Sequence, residues 1–206
     1  MRWIFDINNP IMRYVIKVFD CMCLSVLWLV MCLPVFTIGA ATAALYTMCF
    51  RLMREEYSGI IKPYFKAFRD NFKTATAAWG IVLVAALPAL YYLSQTIQME
   101  GVLRYSSLLF LLILAVVLMA ASYGFPWISQ FENTAVQSLK NGLILSISRL
   151  PRTAAVLAIN LMPAIVWFVN PELFIQVSFL WVALYFAAAA YMNTGLLWHV
   201  FKPYRT

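Results

Sequence analysis

Charge is what this sequence has least of. Only 11% of its 206 residues are Asp, Glu, Lys or Arg, whereas a soluble domain carries about 25%. Acids are scarcest, at 8 against 15 bases. Histidine occurs once, as His199. One histidine and no second cysteine pair at zinc-finger spacing exclude the common structural metal sites. The 4 cysteines, Cys21, Cys23, Cys32 and Cys49, lie in or beside apolar runs near the amino end. Thiols in such surroundings behave as small hydrophobes and are expected to stay reduced. The chain also lacks a P-loop, a glycine-rich cofactor turn and any Ser/His/Asp arrangement. The expectation is a chain with no enzymatic activity, no cofactor and no metal.

What is present is apolar. Hydrophobic residues make up 64% of the chain and aromatics 16%, and the mean hydropathy is +0.82. A water-soluble protein of this size cannot hide so much apolar surface, because much of a small protein faces its solvent. The solvent must be lipid. The net charge of +7 could suggest nucleic acid. Its bases lie between apolar runs instead of on one contiguous face, so they read as flanks of membrane spans, with no nucleic-acid partner.

The pattern predicts an all-α, polytopic transmembrane bundle with about six spans and two amphipathic surface helices. Residues 1–17 mix aromatic and charged side chains around Pro10 and read as interfacial segments. They are longer than a signal-peptide n-region, so retention is expected. A single membrane domain follows over 18–206, with spans at about 18–35, 37–53, 74–93, 105–127, 153–169 and 173–200. Thr37 is placed to cap the second. The surface helices fall at about 59–73, started by Pro63, and 133–149. The second span is the shortest, and a re-entrant pair over 18–53 is its rival.

The bases give the direction. With the amino end in the cytoplasm, fourteen of the 15 Lys and Arg residues lie inside and only Arg104 outside, as the positive-inside rule requires. Both ends are then cytoplasmic, in a bacterial cytoplasmic membrane. Residues 37–93 and 105–169 also share an order: span, basic helix, span. Lys73-Thr74-Ala75 matches Arg152-Thr153-Ala154, and Leu87-Pro88-Ala89-Leu90 matches Met162-Pro163-Ala164-Ile165. Such a repeat would be parallel, as in some transporter halves.

Three groups of residues are candidates for function. Lys62, Lys66, Arg69 and Lys73, with Lys140, Arg149 and Arg152, could dock a partner protein or anionic lipid headgroups. Asn160, Asn193 and Thr194 are polar groups within spans, where they need partners: a neighbouring helix or a solute. Gly39, Ala43 and Thr47 recur every four residues and suit close helix packing; with Pro34, Gly39 could instead break a helix around a substrate. His199 reads as a headgroup contact or cap.

The runs LPVFTIGAATAALYTMCFRLMREE and YFKAFRDNFKTAT resemble the YesL-like family of bacterial integral membrane proteins. NNPIMRYVIKVFD and SLKNGLILSISRLPRT resemble it too, so the likeness spans nearly the whole chain. That family has no known function. Its genes tend to lie beside carbohydrate uptake and degradation genes, so the resemblance implies an accessory role with sugar-uptake transporter subunits. It brings no catalytic residues. A small-solute transporter of two parallel units is the alternative.

Overall fold

The computed structural model describes residues 10–56, 59–97 and 105–201, all of them helices and turns. The expected outer loop with Glu100 and Arg104, the expected basic tail with Lys202 and Arg205, and residues 1–9 lie outside these. Helix α1 (Pro10–Cys32) opens on its proline, whose fixed φ suits a first helical position. Residues 10–17 are therefore the start of α1 and not a separate interfacial piece.

Leu33-Pro34 ends α1, and a 3-10 turn (Val35–Thr37) leads into α2 (Ile38–Met53). The expected Thr37 cap is not made. Thr37 has helical φ/ψ, and its hydroxyl donates to the Met31 and Pro34 carbonyls, so it ties the turn together instead. In α2 the residues are small and strongly helix-forming, and 11 of the 16 are buried. Arg54 closes the helix, and Glu55 (φ 57°) and Gly59 (φ 78°) help reverse the chain.

The expected surface helix 59–73 and span 74–93 are one helix, α3 (Ile61–Ile97), 37 residues long. No glycine or proline separates the two parts. Tyr64, Ala67, Ala75, Ala78, Val82 and Ala89 are buried, at steps of three and four or their sums. One packing face thus runs unbroken from the amphipathic half into the apolar half. Its partner is α2: a Cβ built on Gly39 would lie 2.4 Å from the Ala75 carbonyl oxygen.

Helix α4 (Ser106–Ile128) packs antiparallel on the far half of α3. Tyr92 stacks on Phe110 near one end (5.4 Å), and Trp79 meets Phe125 near the other (6.3 Å). Helix α5 (Ala135–Ser148) starts on a capping box made by Thr134 and Gln137. It folds onto α4 at backbone distance, since a Cβ on Gly142 would lie 2.6 Å from the Gly124 nitrogen. The expected helix 133–149 thus exists, but one face of it is buried.

Arg149 (φ −132°, ψ 47°) breaks the chain before α6 (Leu150–Val169), whose first turn holds Pro151. The two halves of the expected repeat part here. Proline removes an N–H and crowds the preceding turn, which favours a break at 149; α3 has no proline at the matching place. The expected sixth span 173–200 is interrupted: α7 (Pro171–Gln176), α8 (Ser178–Leu180), a π-helical turn (Trp181–Tyr185) and α9 (Phe186–Phe201). Just past the π turn, the Ala187 amide donates to Ser25 Oγ of α1 (3.0 Å).

Five helical stretches among the described residues are long and apolar enough to cross a membrane: Val35–Met53, Ile61–Thr96, Ser106–Ile128, Leu150–Val169 and Ser178–Phe201. The first expected span falls on α1, which is not among the five. Arg54 Nη2 donates to Gln130 Oε1 (2.6 Å), which ties the α2–α3 and α4–α5 turns together at one end of the bundle. That end, which also carries Arg51, Lys62 and Lys66, is the basic end.

Backbone contact makes a direct prediction. Gly39→Ala and Gly142→Ala should each lower stability by about 1–3 kcal/mol through overpacking. Gly80→Ala, with nothing within 4 Å of the added carbon, should not lower it. Unfolding by SDS titration in mixed micelles measures all three.

Candidate functional site

Asn160, Asn193 and Thr194 converge. The Asn193 side-chain amide donates to Asn160 Oδ1 (2.8 Å) and more weakly to the Tyr46 hydroxyl (3.4 Å). Asn160 in turn donates to Ser122 Oγ (3.2 Å). One chain of side chains therefore joins α2, α4, α6 and α9. Asn193 and Tyr46 are buried, whereas Asn160 lies on an exposed side. Thr194 is fully buried and bonds back to the Ala190 carbonyl (2.7 Å), an arrangement that hides a hydroxyl within its own helix. Asn193 Oδ1 accepts no hydrogen bond.

Two more polar links lie nearby. Thr153 Oγ1 meets the Tyr123 hydroxyl (2.9 Å) and donates to the Ser146 carbonyl (2.6 Å), joining α4, α5 and α6. Trp28 Nε1 donates to Thr42 Oγ1 (3.1 Å), joining α1 to α2. Inside lipid each such group must find a protein partner, so these bonds fix which helices are neighbours.

Sequence alone did not single out Tyr46 or Ser122. Both stand in apolar helices, and their roles depend on which distant helix comes beside them. Gly142 carried a readable signal that went unused: Ser138, Gly142 and Ser146 recur every four residues on α5, and all three are buried. The small-residue stripe on α2 meets α3 through Gly39; Ala43 is buried, and Thr47 bonds to the Ala43 carbonyl (2.9 Å).

The basic residues divide into two sets. Lys62, Lys66, Arg69 and Lys73 follow steps of four, three and four along α3, and all four are exposed. Together they make one stripe about 16 Å long at 1.5 Å per residue. Among the described residues none of the four is in an ion pair. Exposed Ile61 and Phe65 flank the stripe. Lys140 is exposed on α5, Arg149 is exposed at the break, and Arg152 is half-buried in α6. These three do not belong to the stripe.

Between α3 and the α4–α5 turn lie two adjoining clefts of about 320 and 560 Å³. Both are lined by Asp70, Asn71, Phe131 and Glu132, and Lys66 of the stripe borders the smaller. An apolar groove of about 690 Å³ opens elsewhere, between α1, Ile60 and Phe179.

Residues 21–93 match a family model described as a protein of unknown function, DUF624. The matched stretch covers α1 from Cys21, all of α2 and most of α3, which are the elements that carry the Gly39–Ala75 contact and the basic stripe. The description names no reaction or ligand. No curated protein and no solved structure matches the chain.

If Asn160 and Asn193 act as one clamp, Asn160→Ala and Asn193→Ala should be non-additive in a double-mutant cycle. The expected coupling is about 0.6–1.7 kcal/mol, the range for hydrogen bonds between membrane helices. Additive losses in mixed-micelle unfolding would mean that the two amides act separately.

Proposed function

We propose that this all-helical membrane protein is a non-enzymatic accessory factor that docks an acidic partner through the α3 stripe. The observation that carries the proposal is the alignment of Lys62, Lys66, Arg69 and Lys73 on one exposed face, with no ion pair among the described residues and flanked by exposed Ile61 and Phe65. A row of unpaired cations beside apolar side chains recognises acidic protein surfaces or anionic headgroups. On this reading the basic end faces the cytoplasm, and the excess of Lys and Arg there supports that direction. The resemblance to the YesL-like family points to a subunit of a carbohydrate uptake system as the partner.

One observation favours the alternative. The Asn193 acceptor is buried and unpartnered, and such an atom in a solute path would have work to do. Under a transporter reading Asn160→Leu abolishes flux in liposomes and leaves folding intact. Under the docking reading there is no flux to lose.

Affinity purification in mild detergent from the native host tests the proposal. A sugar-uptake permease or ATPase should be recovered in stoichiometric amount. Reversing Lys66, Arg69 and Lys73 to Glu should remove it, with capture falling roughly 100-fold at about 1 kcal/mol per cation. Recovery of the same partner by the reversed protein would reject the docking role of α3. A parallel loss of binding to anionic vesicles with no protein partner would assign the stripe to lipid.

A further inference from the structure

The turn between α1 and α2 is unlike a water-facing loop. Leu33, Val35 and Phe36 are 80%, 61% and 59% exposed, and Thr37, the turn's one hydroxyl, is buried. Several of its backbone polar groups, by contrast, are bonded within the protein. The Leu33 amide donates to the Val30 carbonyl, and the Thr37 amide to the Pro34 carbonyl (2.9 Å). The Thr37 hydroxyl donates to the carbonyls of Met31 and Pro34. Pro34 has no N–H to place. Trp79 reaches over from α3 and donates its Nε1–H to the Val35 carbonyl (2.8 Å). Apolar side chains facing out, with the turn's hydroxyl and three of its carbonyls bonded inward, suit hydrocarbon better than water.

The turn also ends early. It rests on Trp79, near the middle of α3, with Gly39 against Ala75. From there α3 runs on to Ile97, about 27 Å further at 1.5 Å per residue, and that stretch stacks on α4 through Tyr92 and Phe110. Helix α2 with its 3-10 turn covers about 30 Å. It is therefore the level at which the turn meets α3, and not the length of α2, that sets where the turn ends. The other end of α2 is fixed at the basic end through Arg54 and Gln130.

We propose that α1 and α2 form a re-entrant hairpin. It enters and leaves the membrane at the basic end, and its Leu33–Phe36 turn stops within the hydrocarbon against lipid acyl chains. The complete crossings are then α3, α4, α6 and Ser178–Phe201. A re-entrant pair leaves both its ends on one side, so the distribution of Lys and Arg across the membrane is unchanged.

Site-directed labelling tests this in the full chain, with Cys21, Cys23, Cys32 and Cys49 replaced by Ala. A membrane-impermeant maleimide is applied to right-side-out and to inverted vesicles. Glu172→Cys, at the start of α7, should label from one face only, and Glu132→Cys, in the α4–α5 turn, from the other only. Phe36→Cys should label from neither face, yet react fully once the protein is unfolded in SDS. Labelling of Phe36→Cys from the Glu172 face, at a rate like that of Glu172→Cys, would make α1 and α2 full spans and overturn the proposal. Should the cysteine-free chain not fold, benzoylphenylalanine at position 36, with the native cysteines kept, carries the same question. Photo-crosslinking to phospholipid supports the hairpin; an adduct-free chain after irradiation in membranes contradicts it.

Discussion

Helix α2 has to be surrounded by protein on nearly every side, and it achieves this with side chains too small to reach far. Ala40, Ala41, Ala43 and Ala44 have no exposed surface. An alanine-rich helix can bury itself only if its neighbours come to backbone distance, as α3 does at Gly39 and Ala75. Without water there is no hydrophobic drive between helices, so such close van der Waals packing is what holds them together. The rest of the bundle is arranged around it. Helices α1 and α9 touch α2 through Trp28–Thr42, and through Phe50 against Trp198 and Phe201.

That packing places the polar groups. Tyr46 lies on the same buried helix and receives Asn193 from α9, which in turn holds Asn160 of α6. The polar chain is thus a consequence of α2 being central, and it gives neighbours with little shape of their own a defined register. Holding α2 against α3 also points the opposite face of α3 outward. The stripe of Lys62, Lys66, Arg69 and Lys73 is displayed on a 37-residue helix stiffened along half its length by packing, a geometry suited to a preorganised docking surface.

Much of this was legible from local pattern. The stripe follows from helical spacing alone, and the high apolar content and rare charge dictated an all-helical membrane protein. What failed to show was non-local. Nothing around Lys73-Thr74-Ala75 says whether an amphipathic helix lies apart from the next span or continues into it. The answer depends on the face that α2 buries, which runs through both parts. The break at Arg149 has a local cause in Pro151, because a proline's effect is local. Tyr46 and Ser122 were invisible because no local spacing shows that Asn193 and Asn160 come to lie beside them. The Gly142–Gly124 contact required knowing that α5 folds onto α4, although both helices carried small residues at the right spacing.

The most direct test of the central claim is to place large side chains on α2 and on a lipid-facing helix, and to compare folded yield by size-exclusion fluorescence. Ala40→Leu, Ala41→Leu, Ala43→Leu and Ala44→Leu should each abolish the monodisperse peak. Ala154→Leu and Ala158→Leu, at exposed positions of α6, should leave it intact. If the α2 variants fold as well as the α6 variants, α2 is not enclosed, and the packing described here does not hold the bundle together.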